Sequence, residues 1–165
     1  TECIKLYKNE PHNLKNIQTI WEKVKNQKND PILLNNPTVF CHNDLTPGNI
    51  ILSPKLDDIR FIDFEYASYN NRGFDIGNLF NEFAGYDCDW TKLPNKTERY
   101  SFYKHYLGND NINSLKTLDA EVLFYMPVSH LFWSLWAFIQ HKYSDVNFDY
   151  LSYANKRLSK AINYR

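Results

Sequence analysis

A carboxylate, an amide and a second carboxylate fall in a fixed order near the middle of this chain, and they limit what can be built around them. His42-Asn43-Asp44-Leu45-Thr46-Pro47-Gly48-Asn49 is followed by Ile62-Asp63-Phe64-Glu65. Between the two blocks, Ile50-Ile51-Leu52 and Ile59-Arg60-Phe61-Ile62 read as short strands joined by a polar turn around Pro54 to Asp58. A hairpin of that kind would bring Asn49 and Asp63 together at one end, facing a shared ion. The simpler use of His42 and Asp44 is loop hydrogen bonding. Three oxygen-bearing side chains in this order point instead to chemistry at Asp44 and a divalent cation on Asn49 and Asp63.

Phosphoryl transfer is the chemistry that asks for this set. It needs a carboxylate to take the proton of the attacking hydroxyl and oxygen ligands to hold Mg2+ on the ATP phosphates. Asn49 lies five residues after Asp44, the offset between base and metal-ligating Asn in the kinase catalytic loop. Asp63 ends an apolar run, as the metal-binding Asp of the kinase Asp-Phe-Gly element does. Two departures set the chain apart from protein kinases: Asn43 replaces the Arg of His-Arg-Asp, and Glu65 replaces the Gly of Asp-Phe-Gly.

With those departures the sequence resembles the choline and ethanolamine kinases. The resemblance runs through His42–Asn49, Ile62–Asn70, Arg72–Asn78 and Ser129–Trp136, covering most of the chain from Val39 to about Leu158. It implies an α+β fold: the mostly helical large (C-terminal) lobe of a protein-kinase-like enzyme, with short β-hairpins at the catalytic loop, as one domain over residues 1–165. Only about forty residues precede the catalytic loop, and no Gly-rich phosphate loop or Val-Ala-Ile-Lys-like strand stands there. The expectation is therefore a lobe whose N-terminal ATP lobe is missing from these residues.

Composition excludes some alternatives. Nineteen basic and nineteen acidic side chains leave no electrostatic footprint for nucleic acid or an anionic membrane. Cys3, Cys41 and Cys88 form neither an even disulfide framework nor a metal spacing, so reduced thiols in a cytoplasmic protein are expected. No signal-peptide pattern opens the sequence. Val122 to Ile139 approaches membrane-span length. Pro127, Ser129, His130 and Ser134 interrupt it, so a buried helix pair is expected rather than a transmembrane segment.

Helices are predicted over Asn13 to about Asn26, Asp75 to Ala84, Asn95 to Leu107 with Gly108 as stop, Leu115 to Met126 capped by Ser114 and ended by Pro127, Val128 to Lys142, and Asp149 to Ile162. Thr38 to Cys41 is the strand that delivers the catalytic loop.

The resemblance also implies the roles of individual residues. Asp44 is the base, Asn49 and Asp63 hold Mg2+, and ATP is the co-substrate. Glu65, Tyr66, Glu82, Trp133, Trp136 and Tyr153 surround a small cationic alcohol, where carboxylates neutralise the ammonium and aromatic faces attract it. By spacing alone, Trp133 and Trp136 share a helix face and read as core; the resemblance reverses that reading. Glu82 has its own simpler explanation, a solvated helix charge. His42 and Asp75 support the loop, and Phe74 and Ile76 pack.

Asn81-Glu82-Phe83-Ala84-Gly85, with Asp87 and Asp89, is similar to ethanolamine kinases, as is Val146–Leu151. Choline kinases tend to have Trp where Phe83 stands and an additional Tyr near Asp87. Thr46-Pro47-Gly48-Asn49 is nearer the choline type. The balance favours ethanolamine, at the entry to phosphatidylethanolamine synthesis. Choline or dual specificity is the alternative, a homodimer stays open, and an inactive lobe acting as a binding module is the reading of another class.

Overall fold

The computed structural model describes residues 17–19, 21–22, 25–26, 36–53 and 58–164. Among them, strands β1 (Thr38–Cys41), β2 (Ile50–Ser53), β3 (Asp58–Phe61) and β4 (Ser68–Asn71) precede helices α1 (Arg72–Glu82), α2 (Lys96–Leu107), α3 (Ile112–Tyr143) and α4 (Tyr150–Ile162). Residues 17–19, 21–22 and 25–26 are helical, inside the stretch where apolar spacing predicts a helix; the start of that stretch lies outside the described residues. The chain divides into two compact units, residues 35–126 and residues 1–34 with 127–165.

In the first unit two antiparallel ribbons flank the loop that carries Asp44. β1 pairs with β4, Phe40 opposite Tyr69, and β2 pairs with β3, Ile50 opposite Phe61. The β2–β3 ribbon carries the predicted hairpin strands; its turn lies outside the described residues. Ile51, Leu52, Ile59 and Phe61 on it are all exposed. The core lies under the helices, where Phe74, Ile76, Phe80, Tyr103, Leu115, Leu118, Val122 and Met126 are buried.

Helix α1 reaches α3 because two of its positions have no side chain. A Cβ at Gly73 would sit 2.8 Å from Tyr125 Cδ2 and 3.0 Å from the Glu121 carbonyl oxygen. One at Gly77 would sit 3.2 Å from the Met126 nitrogen and 3.3 Å from the Val122 carbonyl oxygen. Backbone therefore packs on backbone. Arg72 beside the first glycine forms a two-pronged pair with Glu121, Nε to Oε2 at 2.8 Å and Nη2 to Oε1 at 2.9 Å. Arg99 on α2 donates Nε–H to Asp119 at 2.8 Å, and the Tyr103 hydroxyl donates to the same carboxylate at 3.1 Å. The carboxylates are buried and the half-buried guanidiniums satisfy them in a fork geometry.

Helix α2 begins and ends where its sequence signals lie. Asn95 Oδ1 accepts from Thr97 N–H and Glu98 N–H while Glu98 Oε2 accepts from Asn95 N–H, and Gly108 stops the helix with φ of 65°. In the second unit Asp149 caps α4 by accepting from Ser152 N–H at 3.0 Å. The Ser134 hydroxyl donates to the Ala154 carbonyl at 2.8 Å, tying α4 to the later part of α3.

One sequence expectation fails. Ser114 is not a cap and Pro127 does not end a helix: α3 is continuous over Ile112–Tyr143 with Pro127 inside it. Asn111 Oδ1 takes the capping role, accepting from Asn113 N–H and Ser114 N–H. A proline within a helix removes one hydrogen bond and costs about 3 kcal/mol. Apolar burial on both sides of it exceeds that cost, with Leu118, Val122 and Met126 before it and Leu131, Trp133, Ala137 and Phe138 after it. The expected helix pair is thus one helix. It is long and apolar enough to cross a membrane by length and composition, yet half of its most apolar window is buried within the protein. A core helix meets the same description.

The glycine contacts set a measurable expectation. Gly73→Ala should destabilise the protein by about 1–3 kcal/mol, because overpacking against backbone exceeds the helix-propensity gain of up to about 1 kcal/mol. Chemical denaturation checks it; a variant as stable as the parent would mean α1 and α3 are not in backbone contact.

Candidate active site

Strand β1 runs into His42, and from there backbone and side chains are held from several directions. Asp75, in the first turn of α1, accepts the His42 N–H at 3.0 Å and the Asn43 N–H at 2.7 Å, one on each carboxylate oxygen. Asn78, fully buried one turn further along, donates its side-chain N–H to the Asn43 carbonyl at 3.3 Å. Helix α1 thus grips three successive peptide groups leading into Asp44.

The His42 ring faces the other way. Its Nδ1 lies 3.3 Å from the Asp44 N–H, which donates to it, so Nε2 carries the proton and donates to the Ile62 carbonyl at 2.8 Å. The rings of Phe64 and Phe61 lie 4.7 and 6.5 Å from it. His42 therefore binds the catalytic loop to the residue before Asp63.

Asn49 closes the loop on Asp44. Its side-chain N–H groups donate to the Asp44 carbonyl at 2.9 Å and to the Asp44 carboxylate at 3.1 Å. Those bonds use the nitrogen end of the amide, and the oxygen end remains as a ligand of the type that hard cations take. The Asn49 carbonyl accepts from Ile62 N–H at 3.0 Å, extending the β2–β3 ladder to the residue before Asp63. Asp63 is exposed and sits at φ of 63°, a left-handed conformation that is costly outside glycine and persists where surroundings enforce it.

Burial raises the affinity of the Asp44 carboxyl for its proton to a pKa of about 6. The negative Glu82 adds to the rise and Asp63 adds less, while His42 and the Asn49 bond oppose it. Glu82 is 6% exposed, so it is not a solvated helix charge.

The remaining predicted residues divide between the two units. Glu65 is exposed and Tyr66 half-buried in the 3-10 turn Phe64–Tyr66, and Glu82 ends α1, all in the first unit. Trp133, Trp136 and Tyr153 belong to the second. There Trp133 and Trp136 meet edge to face at 5.5 Å, Trp136 meets Tyr150 at 5.8 Å, and Phe148 meets Tyr153 at 5.8 Å. Buried Arg157 donates to the Tyr153 hydroxyl at 3.1 Å. Sequence reasoning passed over Asn43, Asn78, Tyr150 and Arg157. Asn43 lay inside the motif and was read only as a departure from a kinase pattern.

This arrangement, on ribbons and helices in this order, defines a class: the kinase-like phosphotransferase fold. A solved Plasmodium vivax ethanolamine kinase has the same architecture, with a TM-score of 0.74 and 32% identity over 90% of this chain and 48% of that one. The sequence model of the choline/ethanolamine kinase family matches residues 3–162, and the chain belongs to that family. A probable ethanolamine kinase of Arabidopsis thaliana is 50% identical over 126 residues, 73% of this chain and 34% of the relative. A probable ethanolamine kinase A of Dictyostelium discoideum is 39% identical over 163 residues, 96% of this chain and 47% of the relative. The chain therefore spans between a third and a half of the length of these relatives.

The shifted carboxyl sets a pH dependence. The folded Asp44 keeps its proton up to about pH 6, whereas its ordinary value is 3.8. Between those values the native state binds more protons than the unfolded one, so stability is lost as pH rises through the window and charged Asp44 is a cost at neutral pH. Asp44→Asn should melt above the parent at pH 7, by on the order of 1 kcal/mol after discounting for partial exposure. The gap should close below about pH 4. Melting curves at the two pH values check this, and a variant that melts lower at pH 7 contradicts it.

Proposed function

We propose that this chain is the base-bearing portion of an ATP- and Mg2+-dependent kinase that phosphorylates the hydroxyl of ethanolamine. The observation that carries the reading is the Asn49 amide, bonded through nitrogen to the Asp44 carbonyl and carboxylate, with the Asn49 carbonyl bonded to the residue before Asp63. One set of bonds thus ties a proton acceptor to two oxygen donors.

Asp44 takes the proton from the substrate hydroxyl as the hydroxyl oxygen attacks the γ-phosphorus, and the bond from that phosphorus to the β,γ-bridging oxygen breaks, with ADP as the leaving group. A pKa raised to about 6 strengthens it as an acceptor while leaving it ionised at neutral pH. Asn49, through its amide oxygen, and Asp63, through its carboxylate, are the residues that would hold Mg2+, which neutralises developing charge on the phosphate oxygens when bound. Among the described residues no cluster of three or more His, Cys, Asp or Glu side chains could hold a metal. The remaining oxygens of the ion's shell would come from phosphate and water, as is usual for Mg2+ in kinases.

Glu65, Tyr66 and Glu82 are assigned to the ammonium end of the substrate. Trp133, Trp136 and Tyr153 are assigned to the substrate as aromatic faces of the kind that attract an ammonium group. The nucleotide is covered by a further lobe, as the length of the relatives suggests, and the reduced, buried thiols of Cys41 and Cys88 suit a cytoplasmic setting.

Ethanolamine is preferred to choline because Phe83 and Asp87 stand where the choline type has further aromatics, and the relatives described above carry the ethanolamine name. A primary ammonium keeps three N–H donors that carboxylates can accept, whereas trimethylammonium gains more from aromatic faces. In the full-length protein, Asp44→Ala should reduce kcat about 10²–10⁴-fold, the usual contribution of a positioned base, without loss of fold by circular dichroism. Initial rates with ethanolamine and choline at equal ATP and Mg2+ should favour ethanolamine. Near-parental turnover by Asp44→Ala would exclude Asp44 as the base, and faster choline turnover would reassign the substrate.

A further inference from the structure

We propose that Asn43 is a positioning residue, which with His42 clamps the turn carrying Asp63 against the catalytic loop. The inference rests on the reading of Asp63 as a metal ligand given above.

Asn43 is 7% exposed, and each of its hydrogen-bonding groups is engaged. Its backbone N–H donates to Asp75 at 2.7 Å, and its carbonyl accepts from Asn78 at 3.3 Å. Its side-chain Nδ2 donates to the Tyr66 carbonyl and to the Ser68 hydroxyl, both at 2.9 Å, and Oδ1 accepts from Asn70 Nδ2 at 3.0 Å. All three side-chain bonds go to one segment, residues 66–70, which begins just after Asp63.

On the other side of Asp63, His42 Nε2–H holds the Ile62 carbonyl at 2.8 Å. Two neighbouring residues of the catalytic loop therefore hold the two flanks of one turn, and Asp44 comes next. The backbone makes this division of labour workable. Asn43 has φ of 66° and Asp63 has φ of 63°, both in the left-handed region that Asn and Asp tolerate better than most residues. Strain at Asp63 needs surroundings that enforce it. Bonds at residues 62 and 66 supply that enforcement on either side of it.

Supporting residues around a metal ligand ordinarily matter about 10–100-fold in metal affinity or activity. Here the expectation is specific to the metal because the clamped segment begins beside Asp63, while Asp75 and Asn78 hold the backbone of residue 43 whatever its side chain.

Asn43→Gly is the direct variant, since glycine keeps the left-handed backbone at no steric cost and removes only the amide. In the full-length protein it should bind Mn2+, followed by electron paramagnetic resonance in the presence of ATP, about 10-fold more weakly. Hydrogen exchange should quicken at residues 64–70 but not along α2. Asn70→Ala, which deletes one of the three Asn43 side-chain bonds together with the Asn71 N–H bond to Asn70 Oδ1, should move both readouts in the same direction by less; it carries the test if Asn43→Gly does not fold. A variant with unchanged Mn2+ affinity and unchanged exchange at 64–70 overturns the proposal, even if its melting temperature falls. Faster exchange at 64–70 with parental Mn2+ affinity also overturns it, leaving Asn43 a purely structural residue. If the parent protein neither binds Mn2+ with ATP nor phosphorylates an amino alcohol, the functional reading fails first, and exchange at 64–70 still reports whether Asn43 clamps that turn.

Discussion

Two short bonds from one carboxylate support everything that has been said of the site. Asp75 accepts successive backbone N–H groups at 3.0 and 2.7 Å, and those groups belong to the residues immediately before Asp44. Charge-assisted bonds of this kind are roughly twice as strong as neutral ones. They hold peptide planes rather than flexible side chains, so their partners cannot rotate away. The carboxylate is itself fixed because α1 lies on α3 at Gly73 and Gly77, with Arg72 and Glu121 joined beside the first contact. Helix packing, loop geometry and the orientation of Asp44 are thus a single mechanical chain.

That chain explains why a destabilising charge is kept. Asp44 is partly buried near the negative Glu82, and both effects favour its protonated form. A protein selected for stability alone would avoid that arrangement. The role proposed for Asp44, proton acceptor, would gain from it, since a carboxylate of higher pKa accepts more readily at the same pH. Rigid backbone bonds from Asp75 and Asn78 keep the loop in place despite the cost.

Much of the fold was legible because local signals and tertiary packing agree. Asn95, Glu98 and Gly108 bound α2 where the capping rules place its ends, and the short apolar runs Ile50–Leu52 and Ile59–Ile62 with a polar turn between them gave a ribbon that sets Asn49 beside Ile62. Pro127 was misread because a local rule met a larger tertiary term: burial along α3 outweighs one lost hydrogen bond. The burial of Glu82 was hidden for a related reason, since a lone charge on a helix does not reveal which neighbours will enclose it. Asn43 was visible only as a substitution. Its five bonds reach residues from Tyr66 to Asn78, and no spacing rule encodes a positive φ at an asparagine. The residues that hold the site were therefore harder to read than those expected to do its chemistry.

The β2–β3 ribbon has a consequence outside catalysis. Its strands pair with each other among the described residues, and Ile51, Leu52, Ile59 and Phe61 face water along them. An exposed apolar ribbon is a surface on which other molecules can associate. A chain with equal numbers of acidic and basic side chains has no net repulsion to keep copies apart at neutral pH. Leu52→Lys or Ile59→Lys on this ribbon is accordingly a place where solubility can be engineered without touching the loop that carries Asp44.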